Sequence, residues 1–163
     1  MNRIAKFEKV SFEQFKAGYP NDYAESVYNA IKLRKRATSG SAGYDFFAPF
    51  DIELKAGETV KIPTGIRVKI EDGWFLSLYP RSGLGFKFRL QLDNTVGIID
   101  SDYYNSDNEG HIFAKITNDS KEGKTVKIAA GTGFMQGIFT EFGITVDDDA
   151  DGVRNGGFGS TTK

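Results

Sequence analysis

From Ile31 onward the chain is written in short runs that alternate apolar and polar residues, and turn residues cut each run before it reaches helical length. Val60 and Ile62 alternate with polar neighbours, Ile66, Val68 and Ile70 do so ahead of Asp72-Gly73, and Trp74, Leu76 and Leu78 follow. A period of two buries one face of a segment and wets the other, which is the pattern of a β-strand. Asp-Gly between two such runs predicts a tight hairpin. Further strands are predicted at 89–93, 112–116, 126–128, 134–142 and 144–146, with Gly57, Gly123 and Gly131 in the loops between them. Many short strands at close spacing predict an all-β barrel or sandwich.

The two ends read differently. Ser11-Phe12-Glu13-Gln14 has the form of a capping box, and Tyr23, Val27, Tyr28 and Ile31 fall at helical spacing, so two short helices are expected near the N-terminus. Asp147 to Asp151 is an acidic run that leads into a glycine-rich tail. Such a run repels itself and has no apolar anchor. The expected organisation is a partly helical N-terminal extension over 1–30, a β-domain over 31–146 and a flexible arm over 147–163.

With 163 residues, the chain can bury a core without a metal or disulfide to hold it. It has no cysteine, which removes thiol nucleophiles and cysteine zinc sites, and its single histidine, His111, excludes a multi-histidine metal site. Twenty-one basic residues stand against 22 acidic ones, so the chain lacks the global positive field of a non-specific nucleic-acid binder. An anionic ligand must therefore be held by local groups. No run approaches the roughly 20 apolar residues that cross a bilayer, and the N-terminus lacks a signal-peptide core. The expectation is a soluble cytoplasmic protein without nucleic-acid or membrane partners.

Five segments carry residues suited to chemistry. Pro80-Arg81-Ser82-Gly83-Leu84-Gly85 follows a strand and joins a guanidinium and a hydroxyl to glycines that let backbone N–H groups approach a phosphate. Arg154-Asn155-Gly156-Gly157-Phe158-Gly159-Ser160-Thr161-Thr162 closes the chain with a cation, hydroxyls and an aromatic that can stack on a base. Gly97-Ile98-Ile99-Asp100-Ser101-Asp102-Tyr103 sets a carboxylate where it can take a proton from water, with an aromatic three residues later. Ser41-Ala42-Gly43-Tyr44-Asp45-Phe46 places an acid among small and aromatic residues, and 131–139 places Gln136 in an apolar strand. Met135, Phe46-Phe47, Phe134 and Phe139 read as core or interface packing.

In their order and spacing from Ala42 to Thr161 these segments resemble the five motifs of the trimeric dUTPases: AGYD, PRSGLG, NTVGIIDSDY, a glycine-led segment with an internal glutamine, and RNGGFGST. The resemblance implies a jelly-roll-like β-barrel, a homotrimer whose three sites are shared between chains, and hydrolysis of dUTP to dUMP and pyrophosphate with Mg²⁺. Carried over residue by residue, it implies that Asp100 activates the attacking water and that Tyr103 stacks on the deoxyribose where a 2′-hydroxyl would clash. Main-chain groups around Asn94, Gly97 and Ile99 would pair with the uracil edge. Arg81, Ser82 and Gly83 would hold the α- and β-phosphates, with Gln136 beside them. Arg154, Phe158, Gly159, Ser160 and Thr161 would arrive from a neighbouring chain, Phe158 over the uracil and the others on the γ-phosphate. Magnesium would ride on the triphosphate, with Asp45 touching its water shell and no residue binding the ion directly. A dCTP deaminase of the same fold and a non-catalytic β-sandwich binding protein are the alternative readings.

The chain departs from that family pattern in places. Tyr104 to Gly110 is a polar insert after Tyr103, expected as a solvent loop that spares the tyrosine. Gly133-Phe134-Met135-Gln136 lacks the family's arginine, and the tail ends in Thr162-Lys163 in place of a glycine.

Overall fold

A computed structural model describes residues 1–157. Phe158, Gly159, Ser160 and Thr161 lie outside the described residues. The elements run β1 (Ala5–Lys9), α1 (Phe12–Gly18), α2 (Ala24–Ala30), β2 (Tyr44–Phe47), β3 (Ile52–Leu54), β4 (Thr59–Pro63), β5 (Ile66–Ile70) and β6 (Trp74–Pro80). They continue with α3 (Ser82–Phe88), β7 (Leu90–Leu92), β8 (Gly97–Ile99), a 3₁₀ turn (Ser101–Asn105), β9 (Phe113–Asn118), β10 (Val126–Ile128) and β11 (Gly133–Glu141).

The all-β class is as the alternation predicts. The strands form four separate antiparallel sheets, β1-β5, β10-β3, β2-β11-β6-β8 and β4-β9-β7, so no continuous hydrogen-bonded ring closes a barrel among the described residues. Several strands are only three residues long, and β11 shifts register against β2 between Gly133 and Met135, which interrupts the ladder. Side chains fill the space between sheets instead. Phe15, Phe46, Ile62, Ile66, Leu76, Ile116, Phe134 and Met135 are all buried to within 2% of full burial. Each such side chain contributes roughly 1.5–3 kcal/mol by leaving water.

The Asp72-Gly73 turn exists, with Gly73 in the left-handed region at φ 83° and Trp74 N–H donating to Glu71 C=O. It is not a hairpin. β5 pairs with β1 and β6 with β11 and β8, because the turn carries the chain from one sheet to another. Nor do residues 144–146 form a strand: Ile144 and Val146 are exposed, and no neighbouring edge pairs with them.

The N-terminal segment has both helices but also supplies β1, whose mixed sequence AKFEK gives little alternation to read. Phe7, Val10, Phe15 and Ile31 from this segment all enter the main core. Ser11 caps α1 by accepting from Gln14 N–H at 3.2 Å. The polar insert, expected as a solvent loop, is instead packed. Glu109 accepts from Ser11 N–H and Oγ, and Tyr104 donates to Glu8 while Arg67 lies 3.6 Å over the Tyr104 ring. Those partners lie far away in sequence, so the polar composition of the insert could not reveal them.

Candidate active site

β8 runs antiparallel to β6, pairing Gly97 with Leu78 and Ile99 with Leu76. Gly97 is needed there, since a Cβ would come within 3.0 Å of the Leu78 side chain. The preceding turn holds Thr95 at φ 67°, a left-handed conformation that costs a β-branched residue about 1–3 kcal/mol and marks a backbone shaped for a purpose. After Ile99 the chain stays extended at Asp100 and then turns, Tyr103 N–H donating to Asp100 C=O. Asp100 and Tyr103 therefore project from the start and middle of one short turn.

Around them is a cavity of about 280 Å³ lined by Asn94, Gly97, Ile99, Asp100, Tyr103 and Arg154 with Leu78, Val96, Ile98, Ile112, Phe113 and Gly157. Its lining mixes apolar and polar side chains. The volume lies at the lower end of small-molecule pockets, roughly 300 Å³, and suits a base and sugar better than a triphosphate. Hollows of about 720 and 900 Å³ along the N-terminal strand contain none of the candidate residues, whereas one of about 370 Å³, lined also by Lys61, Leu92, Asp93 and Met135, shares Asn94 and Gly97 with the cavity.

Tyr103 is buried. Its hydroxyl donates to His111 C=O at 2.8 Å and accepts from Asn108 Nδ2 at 2.8 Å. Burial pushes the hydroxyl's pKa above the ordinary tyrosine value, against the Asn108 bond and the charge of Arg154, which pull it down. Asp100 is half exposed, and Arg154 reaches it from the tail: Nη2 lies 2.6 Å from Asp100 Oδ2 and Nε 2.7 Å from Asp102 Oδ1. Asp107 N–H also donates to Asn155 C=O, and Gly157 approaches the Tyr103 ring so closely that a Cβ would sit 2.7 Å from it. In the single chain, then, the described part of the arm lies over its own Asp100 and Tyr103, whereas the family resemblance implies that it serves a neighbouring chain.

The remaining candidates gather elsewhere. Arg81 is the N-cap of α3, so the glycine-containing segment forms a helix where a turn was the simpler reading. Ser82 and Gly83 occupy its first turn, where N–H groups have no partner within the helix. A Cβ at Gly83 or Gly85 would meet nothing within 4 Å, so packing in this chain does not demand glycine at either position. Arg81 Nη1 lies 3.2 Å from Asp45 Oδ2, and Asp45 stands opposite Gln136 in the β2–β11 register. Two other glycines make room here. A Cβ at Gly133 would come within 2.7 Å of Arg81 Nη1, and one at Gly43 within 2.6 Å of Gln136 Oε1.

The structure thus brings Asn94, Gly97, Ile99, Asp100, Tyr103 and Arg154 together, and Asp45, Arg81, Ser82, Gly83 and Gln136 into a second group that does not line the same cavity. Sequence reasoning missed Phe113 and Ile112 in the cavity wall, because apolar strand residues read as core. It also missed Asp102 as a partner of Arg154. Among the described residues no group of three or more histidine or carboxylate side chains is placed to hold a metal.

The dUTPase family model matches residues 29–162. A deoxyuridine 5'-triphosphate nucleotidohydrolase of Lactococcus lactis is 42% identical over 134 residues, spanning 80% of this chain and 88% of its own length. The crystal structure of dUTPase from Streptococcus mutans superposes with a TM-score of 0.65 at 36% identity, covering 87% of this chain and 98% of that one. A dUTPase from phage phi11 of S. aureus, described with a structural Mg(II) ion, shares the fold at a TM-score of 0.65 and 19% identity, over 92% of this chain and 98% of its own.

Proposed function

The chain belongs to the dUTPase family, and from that premise we propose that it hydrolyses dUTP to dUMP and pyrophosphate in sites shared between the chains of a cytoplasmic homotrimer. The observation that carries this reading is the convergence of Asn94, Gly97, Asp100, Tyr103 and Arg154 on one cavity of nucleoside size. Apolar walls with a few convergent polar groups are the form expected of a small-molecule site.

In this reading the base lies along the backbone from Asn94 to Ile99, where fixed N–H and C=O groups match the uracil edge and leave no room for a methyl group. The Tyr103 ring packs on the deoxyribose. Asp100 takes a proton from the water that attacks the α-phosphorus, and the bond from that phosphorus to the bridging oxygen breaks to release pyrophosphate. General-base assistance of this kind is worth roughly 10²- to 10⁴-fold. In this chain Arg154 is bonded to Asp100 Oδ2, and in this reading it passes from that carboxylate to the substrate. A γ-phosphate, carrying more charge than one carboxylate, is a ligand able to draw it away, together with Gly159, Ser160 and Thr161, while Phe158 covers the base.

Arg81, Ser82 and the first-turn N–H groups of α3 are suited to the α- and β-phosphates, with Gln136 beside them. Because this group stands apart from the cavity in one chain, we assign it to the site of a neighbouring chain. The open space above Gly83 and Gly85 and the 92% exposure of Phe86 on the same helix agree with a surface that is covered only on assembly. The hard carboxylate oxygens of Asp45, next to the proposed phosphate site, suit the water shell of a Mg²⁺ ion held by the triphosphate. An ion held there would neutralise phosphate charge.

Replacing Asp100 by Asn keeps the shape and removes the proton acceptor. Turnover of dUTP should fall roughly 10²-fold or more while a non-hydrolysable analogue still binds. Near-normal turnover would mean that another group is the base.

A further inference from the structure

The insert that follows Tyr103 is built around that residue. From its hydrogen bonds we infer that Asn108 is a positioning residue, which holds the Tyr103 ring as a rigid wall against the sugar and so sharpens selection of deoxyribose over ribose. The inference rests on the proposed dUTP site.

The tyrosine hydroxyl can donate once, and it does so to His111 C=O at 2.8 Å. Its acceptor position is taken by Asn108 Nδ2, also at 2.8 Å. The phenol oxygen is thus pinned from two directions, and rotation about the Cα–Cβ bond would carry it away from both partners. The orientation of the Asn108 amide is itself fixed. Its Oδ1 accepts from Gly110 N–H at 3.1 Å, which only an oxygen can do, and lies 2.7 Å from Ser106 Oγ. Ser106 Oγ also approaches Tyr103 C=O at 2.7 Å, so the loop grips the backbone of Tyr103 as well as its hydroxyl.

Two unusual backbone positions let the loop fold this way. Gly110 has φ 69°, and a Cβ there would stand 2.7 Å from Tyr103 O and 2.8 Å from Tyr104 Cα. Glu109 also has a positive φ, 58°, uncommon for a residue with a side chain. That conformation turns its carboxylate toward α1, where it accepts from Ser11 N–H at 2.8 Å and Oγ at 2.5 Å. The loop is therefore fastened to the N-terminal helix on one side and to Tyr103 on the other. A merely solvated insert would need neither attachment. Exclusion of a single 2′-hydroxyl depends on a wall that does not yield, since a ring free to swing by an ångström would admit the extra oxygen.

The test compares full-length wild type, Asn108→Ala, Tyr103→Phe and the double variant, with kcat and KM measured separately for dUTP and UTP. Asn108→Ala and Tyr103→Phe should each lower the dUTP-to-UTP ratio of kcat/KM by about 5-fold or more, chiefly through improved use of UTP, and the double variant should fall no further. Equal losses on both nucleotides, or effects that multiply in the double variant, would show that Asn108 serves only loop stability and would overturn the inference. Tyr103→Phe leaves the Oδ1 contacts of Asn108 intact, so the ratio can be read even if Asn108→Ala folds poorly. The Cα–Cβ rotamer populations of Tyr103, from side-chain scalar couplings measured by NMR in ligand-free protein, supply a readout independent of turnover. Wild type should hold one rotamer and Asn108→Ala should average over more than one, and unchanged populations would refute the positioning. A wild type that cleaves no dUTP, with a ring freed by Asn108→Ala, would sink the dUTP reading and leave the positioning of Tyr103 standing.

Discussion

His111 should make the fold sensitive to mild acid, although no step of the proposed chemistry uses it. The ring is fully buried, 4.2 Å from the Phe113 ring and 6.2 Å from that of Phe15. Its Nε2 accepts from Gly65 N–H at 2.9 Å, so the proton of the neutral ring sits on Nδ1, which has no hydrogen-bond partner among the described residues. Burial is the main cause that lowers its pKa from 6.5 to about 4, with Glu109 pulling it up and Lys61 pushing it further down. A histidine that binds its proton less well when folded contributes stability that is complete above pH 6.5 and is lost as pH falls toward about 4. The full difference corresponds to roughly 3 kcal/mol, of which about 2 kcal/mol should disappear between pH 7 and pH 4.5.

Glu8, Glu109 and Asp119 have pKa values held below the carboxylate range, so their contributions are lost lower, as pH falls through those depressed values. The window between pH 6.5 and 4.5 therefore belongs chiefly to His111. Urea denaturation at fixed protein concentration, repeated at pH 7, 5.5 and 4.5, measures it. His111→Gln can still accept from Gly65 through Oε1 but binds no proton. It should start less stable and stay nearly flat across the window, whereas wild type falls. Parallel curves for the two proteins would refute the assignment to His111.

A chain ending at Ala150 should fold and assemble with nearly unchanged thermal stability yet lose most dUTP hydrolysis, because the described part of the arm is held by two part-exposed ion pairs of Arg154, worth about 0–1 kcal/mol each, and one backbone bond from Asp107 N–H to Asn155 C=O. Comparable kcat in truncated and full-length protein would contradict the arm's role. Sedimentation should report about three times the 18.0 kDa chain; a fully active monomer would remove the basis for a shared site. Ser11→Ala should cost about 1 kcal/mol of stability, because it removes both the cap of α1 and a bond to Glu109; an unchanged denaturation midpoint would show that the insert is not fastened there.

The strands at 66–70 and 113–118 were legible because each alternates buried with more exposed residues, and 133–141 because it is an apolar run cut by turn residues. β1 was not, since only Phe7 among its five residues is buried and the rest carry charge or a small side chain. The turn at Asp72-Gly73 could be read, but its role as a passage between sheets is a property of pairing far along the chain. The same limit hid the insert: the bond from Glu109 to Ser11 spans 98 positions, and nothing local marks it. The polar lining of the cavity was readable at Asp100, Tyr103 and Arg154, whereas the sequence did not show that Arg81 stands with Asp45 in a second group. Phe113 was not, because a residue that serves both a cavity wall and a strand has the sequence signature of the strand alone.

The central claim is tested most directly by incubating the full-length chain with dUTP, dCTP and UTP in the presence of Mg²⁺ and following the nucleotide product, pyrophosphate and ammonia together. The account predicts dUMP and pyrophosphate in equal amounts from dUTP, far slower release from UTP, and no ammonia from dCTP. Ammonia released from dCTP, or no pyrophosphate from dUTP at any enzyme concentration, would contradict it.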